Sequence, residues 1–178
     1  TTPNDSAVAQ RYSGIEDKRM RVGFGYDIHQ LKAGRPCILG GVHIESDLGP
    51  DGHSDADVLI HALMDAILGA AGLRDIGYYF PPEDDQYKGI SSMLLLEKVN
   101  FLLKERGLQA YNIDIMVISE TPKLKPHIDM MKSNLQSILE IPLDRISIKA
   151  TTNEMLGAIG RREGIAAQAV VSVYEGEI

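Results

Sequence analysis

Only one cysteine, Cys37, occurs in the 178 residues, and tryptophan is absent. A single thiol excludes a disulfide within the chain and any multi-thiolate metal cluster, and it fits a reducing compartment. Aromatic residues make up 6% of the sequence, too few for a protein that holds single strands by stacking bases. Positive charge is also scarce: 18 Lys and Arg against 25 Asp and Glu give a net charge of −7. The basic footprint of a general nucleic-acid binder is therefore missing, although a metal ion or a helix N-terminus can still receive an anion locally. No apolar run approaches about 18 residues, so no membrane span is indicated. What is present is an ordinary globular composition, 44% hydrophobic and 24% charged, long enough for one domain with a sizeable core.

Residues 1–19, TTPNDSAVAQRYSGIEDKR, are polar and without periodicity, which predicts a flexible extension ahead of one folded domain, 20–178. The extension lacks the apolar core of a secretory signal. Strands are expected over 21–28, on either side of Gly40-Gly41 within 36–45, and over 112–119, 145–150 and 165–174. Helices are expected over 55–71, with Ser54 or Asp55 as N-cap, over 91–106 ending at Gly107, and from Pro126 onward. The order β-β-β-α-α-β-α-β-β predicts an α+β fold, a mixed four-to-five-stranded sheet with helices on one face. Both alternating faces of 113–119 and 165–173 are largely apolar, so the face opposite the helices needs a second cover, here assigned to another subunit.

Three clusters carry chemistry. In Tyr-Asp-Ile-His (26–29), Asp27 and His29 stand two apart on a strand and so share one face. In GHSDADVLIHALMD (52–65), Asp57, His61 and Asp65 recur every four residues, which on a helix is also one face. Either pattern alone fits a polar, solvated surface. Brought together, Asp27, His29 and His61 form a two-histidine, one-carboxylate set that suits zinc with a fourth position open, or ferrous iron in a facial triad. Asp57 or Asp65 is then placed beside the ligands or toward a substrate. His53 and Ser54 occupy the turn before the helix, where backbone N–H groups favour an anion, though a loop histidine and a plain N-cap fit the same residues. His43 reads as structural and His127 as a cap or core contact. In IKATTNE (148–154), two threonines at a strand end offer hydroxyls to phosphate and Glu154 a carboxylate to a hard cation. Thr151-x-x-Glu154 also matches a capping box that needs no ligand. Lys123, in TPKLKP, is a further phosphate candidate or a surface charge.

The ordered blocks RVGFGYDIH, GHSDADVLIHALMDAILGA, DIG (75–77), FPPED, SETPKLKPHI, KATTNE and GRREGIAA closely resemble the 2-C-methyl-D-erythritol 2,4-cyclodiphosphate synthase family of the non-mevalonate isoprenoid pathway, over about Met20 to Tyr174. The resemblance implies one Zn²⁺ per active site on Asp27, His29 and His61, and Mg²⁺ or Mn²⁺ as a second cation on Glu154. It implies His53 and Thr152 as catalytic hydrogen-bond donors. Substrate contacts fall on Ser54, Asp65, Asp75, Gly77, Ser119, Lys123, Ala150, Thr151 and Arg161. The implied activity is that of a metal-dependent phosphorus-oxygen lyase: the 2-phosphate of 4-diphosphocytidyl-2-C-methyl-D-erythritol 2-phosphate attacks the β-phosphorus, closing the cyclic diphosphate and releasing CMP. The implied partners are that cytidine diphosphate-polyol and two further copies of the chain, a homotrimer with active sites between subunits, with neither nucleic acid nor membrane. The implied setting is the bacterial cytoplasm, or the plastid stroma if residues 1–19 are a transit-peptide remnant. The sequence departs from the family pattern at Pro82, Asn153, Ala158 and Gln168. A metal-dependent phosphohydrolase and a non-catalytic nucleotide-binding module are the competing readings.

Overall fold

Alternation along β1 (Met20–Ala33) sorts its side chains into two sets. Gly23, Gly25 and Leu31 are buried and Asp27 and His29 half-buried on one face; Met20, Val22, Phe24, Tyr26 and Ile28 are exposed on the other. In this computed structural model residues 20–176 are described, so the extension expected over 1–19 lies outside the described residues. β2 (Cys37–Leu39) and β3 (Val42–Ile44) form a hairpin whose turn is Gly40-Gly41, both with positive φ, the conformation such a two-residue turn requires. β4 (Leu48–Pro50), a short strand not expected from the sequence, pairs with the end of β1.

The main sheet has the order β4-β1-β7-β5-β6, with β5 (Leu108–Ile118), β6 (Ile146–Thr151) and β7 (Gly164–Glu175). It is mixed, because β5 and β6 run parallel while the other neighbours are antiparallel. The helices are α1 (Val58–Ala70), α2 (Ile76–Tyr79), α3 (Ser92–Lys104), α4 (Ile128–Leu139) and the single turn α5 (Gly157–Gly160). The expected α+β fold with one helical layer is what forms.

α1 is the centre of the core. All of its residues except Asp65 and Gly69 are buried, the pattern of a helix covered on every side. It lies against β1 at unusually close range. A Cβ on Gly23 would stand 1.9 Å from the carbonyl oxygen of Ala66, and one on Gly25 1.9 Å from that of Ala62. Two glycines on the strand and alanines on the helix thus let backbone approach backbone.

The helix begins three residues later than the sequence suggested, and its N-cap is Asp57. Asp57 Oδ1 accepts the N–H of Ile60 at 3.1 Å and of Gly40 at 3.0 Å, and Oδ2 accepts that of Gly41 at 2.8 Å. The carboxylate therefore ties the hairpin turn to the first turn of α1, and its hydrogen bonds go to backbone N–H groups rather than to a histidine. Of the two alternatives, Asp57 or Asp65 beside the ligands or toward a substrate, Asp57 is committed to this structural tie. Burial pushes the Asp57 carboxyl up to about 6 against the pull of those N–H groups.

Candidate active site

The close contact of β1 and α1 brings the three expected ligands together. Asp27 Oδ2 stands 2.9 Å from His29 Nε2 and 3.0 Å from His61 Nδ1, and the two ring nitrogens are 3.1 Å apart. Three donor atoms in a triangle of this size suit one cation. Tetrahedral ligands about 2.0–2.1 Å from zinc stand roughly 3.3 Å apart, so the group fits with shifts of a few tenths of an ångström. Burial pushes the Asp27 carboxyl up, but the hydrogen bonds and charges of His29 and His61 outweigh it and hold it well below the usual carboxylate range. Burial lowers His29, and its bond to Asp27 reverses the sign and raises it. Protons and a cation thus compete for one spot.

The outer ring atoms are held as well. His29 Nδ1 donates to the backbone oxygen of Asp51 at 2.8 Å, leaving the Nε2 lone pair directed at the triangle. His61 Nε2 lies 3.0 Å from Ser92 Oγ and 3.1 Å from Ser54 Oγ. Ser54 is thus neither the cap of α1 nor a lone loop residue. Neither Asp51 nor Ser92 was singled out in the sequence, since both reach the site from distant segments.

A pocket of about 250 Å³ opens beside the triangle, and His53, Ser54 and Gly77 line it together with His29 and His61. Phe80, Pro82 and Tyr87 give it an apolar wall, and the edge-on contact of Phe80 with Tyr87 rigidifies that wall. His53 does not stand at a helix N-terminus, because α1 starts at Val58; its ring lies 3.4 Å from the Asp84 backbone oxygen. Asp65 accepts the N–H of Ile76 at 2.8 Å and so anchors α2 to α1. Asp75 is the N-cap residue of α2 but makes no side-chain cap bond, and its carboxylate is exposed. His43 is exposed on β3, and His127 holds an N-cap position without capping through its side chain.

The third cluster forms a different pocket, also about 250 Å³, lined by Ser119, Lys123, Ala150, Thr151 and Thr152. It lies at the same end of the sheet as the triangle. His29 pairs with Ile165, Ile118 with Ala166 and Thr151 with Ile118, which places Thr151 three strands from His29, about 14 Å at the usual strand spacing. The capping-box reading of Thr151 and Glu154 fails. The next helix is capped at Leu156, and Glu154 instead lies 3.2 Å from the Thr152 hydroxyl. Glu154 and Met155 both adopt left-handed backbone conformations, φ 51° and 61°. Glu120, which the sequence did not single out, steadies that turn: its Oε1 accepts the N–H of Asn153 at 2.9 Å and of Met155 at 3.1 Å. Arg161 lies outside both linings, paired with Glu163 at 2.7 Å.

A strand-borne Asp-x-His pair completed by a helix histidine beside a ligand-sized pocket is a group that could hold a metal ion on an α+β scaffold, the arrangement of a metal-dependent enzyme. The comparisons with known proteins give the particular family. The profile of the YgbB family matches residues 20–174. A protein of Synechococcus elongatus named 2-C-methyl-D-erythritol 2,4-cyclodiphosphate synthase is 59% identical over 152 residues, 85% of this chain and 95% of its own. One of the same name from Cytophaga hutchinsonii is 55% identical over 85% of this chain and 96% of its own. Among solved structures, the bifunctional IspDF from Campylobacter jejuni superposes with a TM-score of 0.86 at 43% identity over 90% of this chain. The match spans only 43% of that longer protein. IspF of Plasmodium falciparum, described as a CDP complex, gives 0.78 at 33% identity, covering 89% of this chain and 97% of its own. The chain belongs to the YgbB family of 2-C-methyl-D-erythritol 2,4-cyclodiphosphate synthases, as its sequence blocks implied. It is an enzyme of that kind, a lyase of isoprene biosynthesis.

Proposed function

We propose that the chain converts 4-diphosphocytidyl-2-C-methyl-D-erythritol 2-phosphate into 2-C-methyl-D-erythritol 2,4-cyclodiphosphate and CMP. The observation that carries this reading is the triangle of Asp27, His29 and His61 at the mouth of a pocket that also holds His53, Ser54 and Gly77. An oxygen of the 2-phosphate bonds to the β-phosphorus, the bridging bond to the α-phosphate breaks, and CMP leaves with that electron pair. Attacker and electrophile belong to one molecule, so the protein's task is to hold it folded and to balance its charge. Gly77 and Asp75 are suited to the polyol, and Ser119, Ala150 and Thr151 to the cytidine nucleotide. Lys123 offsets phosphate charge, and on the family pattern Arg161 joins it. His53 and Thr152 donate hydrogen bonds to the charge that develops. Zn²⁺ held by Asp27, His29 and His61, and Mg²⁺ or Mn²⁺ held by Glu154, would supply Lewis acids for the crowded phosphate oxygens.

The two pockets of one chain are about three strand spacings apart, which supports a site completed by a neighbour. The exposed row of Met20, Val22, Phe24, Tyr26 and Ile28 supports the same reading. Val22 is 64% and Phe24 62% exposed, on the face opposite the helices, and a contiguous apolar row of this kind marks an interaction surface. A closed homotrimer, with each Ser119–Thr152 pocket set against the next chain's metal triangle, satisfies both. The sequence pattern points to β5 and β7 for this cover, whereas the exposed apolar row lies on β1. The proposed setting is a bacterial cytoplasm, or a plastid stroma, supported by bacterial and cyanobacterial relatives. Among the described residues no helix is long and apolar enough to cross a membrane.

The test is incubation with the substrate, followed by phosphorus resonances. Cyclic diphosphate and CMP in equal amounts are expected. Inorganic phosphate or a linear product would establish the phosphohydrolase instead, and tight CMP binding without turnover the nucleotide-binding module.

A further inference from the structure

A neutral imidazole carries one N–H and one lone pair, so whether His61 can ligate through Nδ1 depends on which nitrogen holds the proton. The answer is built into a segment 31 residues further along the chain. Ser92, the first residue of α3, is fully buried. Its hydroxyl donates to Asp55 Oδ1, and its backbone N–H donates to Asp55 Oδ2 at 2.8 Å. Asp55 Oδ1 also accepts the N–H of Asp57 at 3.3 Å, the third donor to this carboxylate. An ionised carboxylate only accepts, so the single hydroxyl proton of Ser92 is committed to Asp55. Toward His61, 3.0 Å away, Ser92 Oγ can then only accept. Nε2 must be the donor, so once a cation replaces the proton shared with Asp27 the lone pair is on Nδ1, the atom that faces Asp27 and His29.

Ser54 sits on the same nitrogen differently. Its Oγ lies 3.1 Å from His61 Nε2 and accepts the N–H of Ala56 at 3.3 Å, in a half-buried turn that lines the pocket. No carboxylate holds its proton among its hydrogen bonds. One hydroxyl beside His61 is anchored and one is available.

We infer that Ser92, oriented by Asp55, is a positioning residue that fixes the His61 tautomer for metal binding. The inference rests on the reading of Asp27, His29 and His61 as metal ligands.

The full-length chain as Ser92→Ala, Ser92→Thr, Asp55→Asn and Ser54→Ala is compared with the parent. Metal affinity is read by chelator competition, with Co²⁺ absorption reporting ligand geometry. Ser92→Ala keeps the N–H bonded to Asp55 and the Ser91 cap, so the helix start survives. It should weaken metal affinity about 10- to 100-fold, the usual effect of removing a partner behind a ligand. Asp55→Asn should weaken it in the same direction, Ser92→Thr should restore it, and Ser54→Ala should leave it close to the parent value. Equal affinity in the parent and Ser92→Ala would overturn the inference, as would a loss confined to Ser54→Ala. The nitrogen resonances of His61 in metal-free protein decide the tautomer without any metal. They should report a proton on Nε2 in the parent, whether or not Asp27 holds a second one at Nδ1, and its partial loss in Ser92→Ala; a parent whose Nε2 carries no proton sinks the assignment. A parent that binds no Zn²⁺ or Co²⁺ but keeps the Nε2–H tautomer would instead remove the metal reading and leave the hydrogen-bond assignment standing.

Discussion

The two pockets have similar volumes but opposite construction. Around the metal triangle every ligand is half-buried or buried, and both histidines are held at the nitrogen that does not face the triangle, by Asp51 and by Ser92 with Ser54. Around Ser119, Lys123 and Thr152 the side chains from Lys149 to Ala158 are exposed, and what is held is the backbone, by Glu120. One chain therefore holds the three candidate ligands in place by itself, while the second pocket is only a steadied surface. Preorganisation needs a shell of packed partners, and the second pocket has one only when something covers it.

The sharpest way to test this contrast is His61→Ala. Removing one ligand from a complete triangle should abolish stoichiometric metal and lower kcat/KM by about a thousandfold or more, because a Lewis acid is lost outright. The metal-free fold should persist, since the ring lies at the edge of the core. Full metal occupancy by elemental analysis would refute the ligand set. Lys123→Ala touches the open pocket and should lower kcat/KM by about 10- to 100-fold, mostly through KM, as expected for one charge-assisted contact to phosphate. Unchanged metal content is part of that expectation, and an equal loss in metal binding would mean that the pockets are not separately built.

Subunit mixing probes the same contrast at smaller amplitude. His61→Ala and Thr152→Ala chains, unfolded together and reassembled in equal amounts, should recover about a quarter of parental activity, because a random closed ring gives each interface that chance of pairing two intact halves. No recovery in mixtures shown to contain hybrids would place both halves of the site on one chain. The smallest effect expected concerns pH. The Asp57 carboxyl titrates at about 6 in the folded chain, above its ordinary value, so the folded state binds the extra proton. Its contribution to stability is complete below about pH 4 and is lost as pH rises through about 6. Asp65, also raised by burial, acts with the same sign. Asp57→Asn should flatten this slope, worth a few degrees in Tm between pH 4 and 6, while substitutions in the exposed 149–158 segment should leave it unchanged.

Much of this was legible because it is local. Asp27 and His29 two apart on a strand, and the Gly40-Gly41 turn, follow from periodicity and turn chemistry, and His61 follows from helical spacing. The start of α1 was misplaced because its determinants are not local. Asp55 is drawn off to Ser92, 37 residues away, and Asp57 to the hairpin glycines, so neither behaves as the spacing alone suggests. The outward row of β1 is masked in the sequence because interspersed Gly23, Gly25, Asp27 and His29 make the strand look amphipathic with the wrong face buried. The side that carries the polar residues is the one turned to the core. Glu120 was invisible for the same reason as Ser92, because side chains that bond to distant segments leave no pattern in a sequence.

The close seating of α1 on β1 makes the metal triangle a gauge of that contact. A cation shared by Asp27, His29 and His61 would act as a cross-link between helix and strand, adding RT ln(1 + [M]/Kd) to the stability of the whole domain. The linkage also runs backwards. Gly25→Ala would force the backbone at Ala62 outward and carry the neighbouring His61 with it. Loss of metal should then precede loss of the fold, so in chains damaged far from any substrate contact chelator sensitivity becomes an early sign of loosened packing.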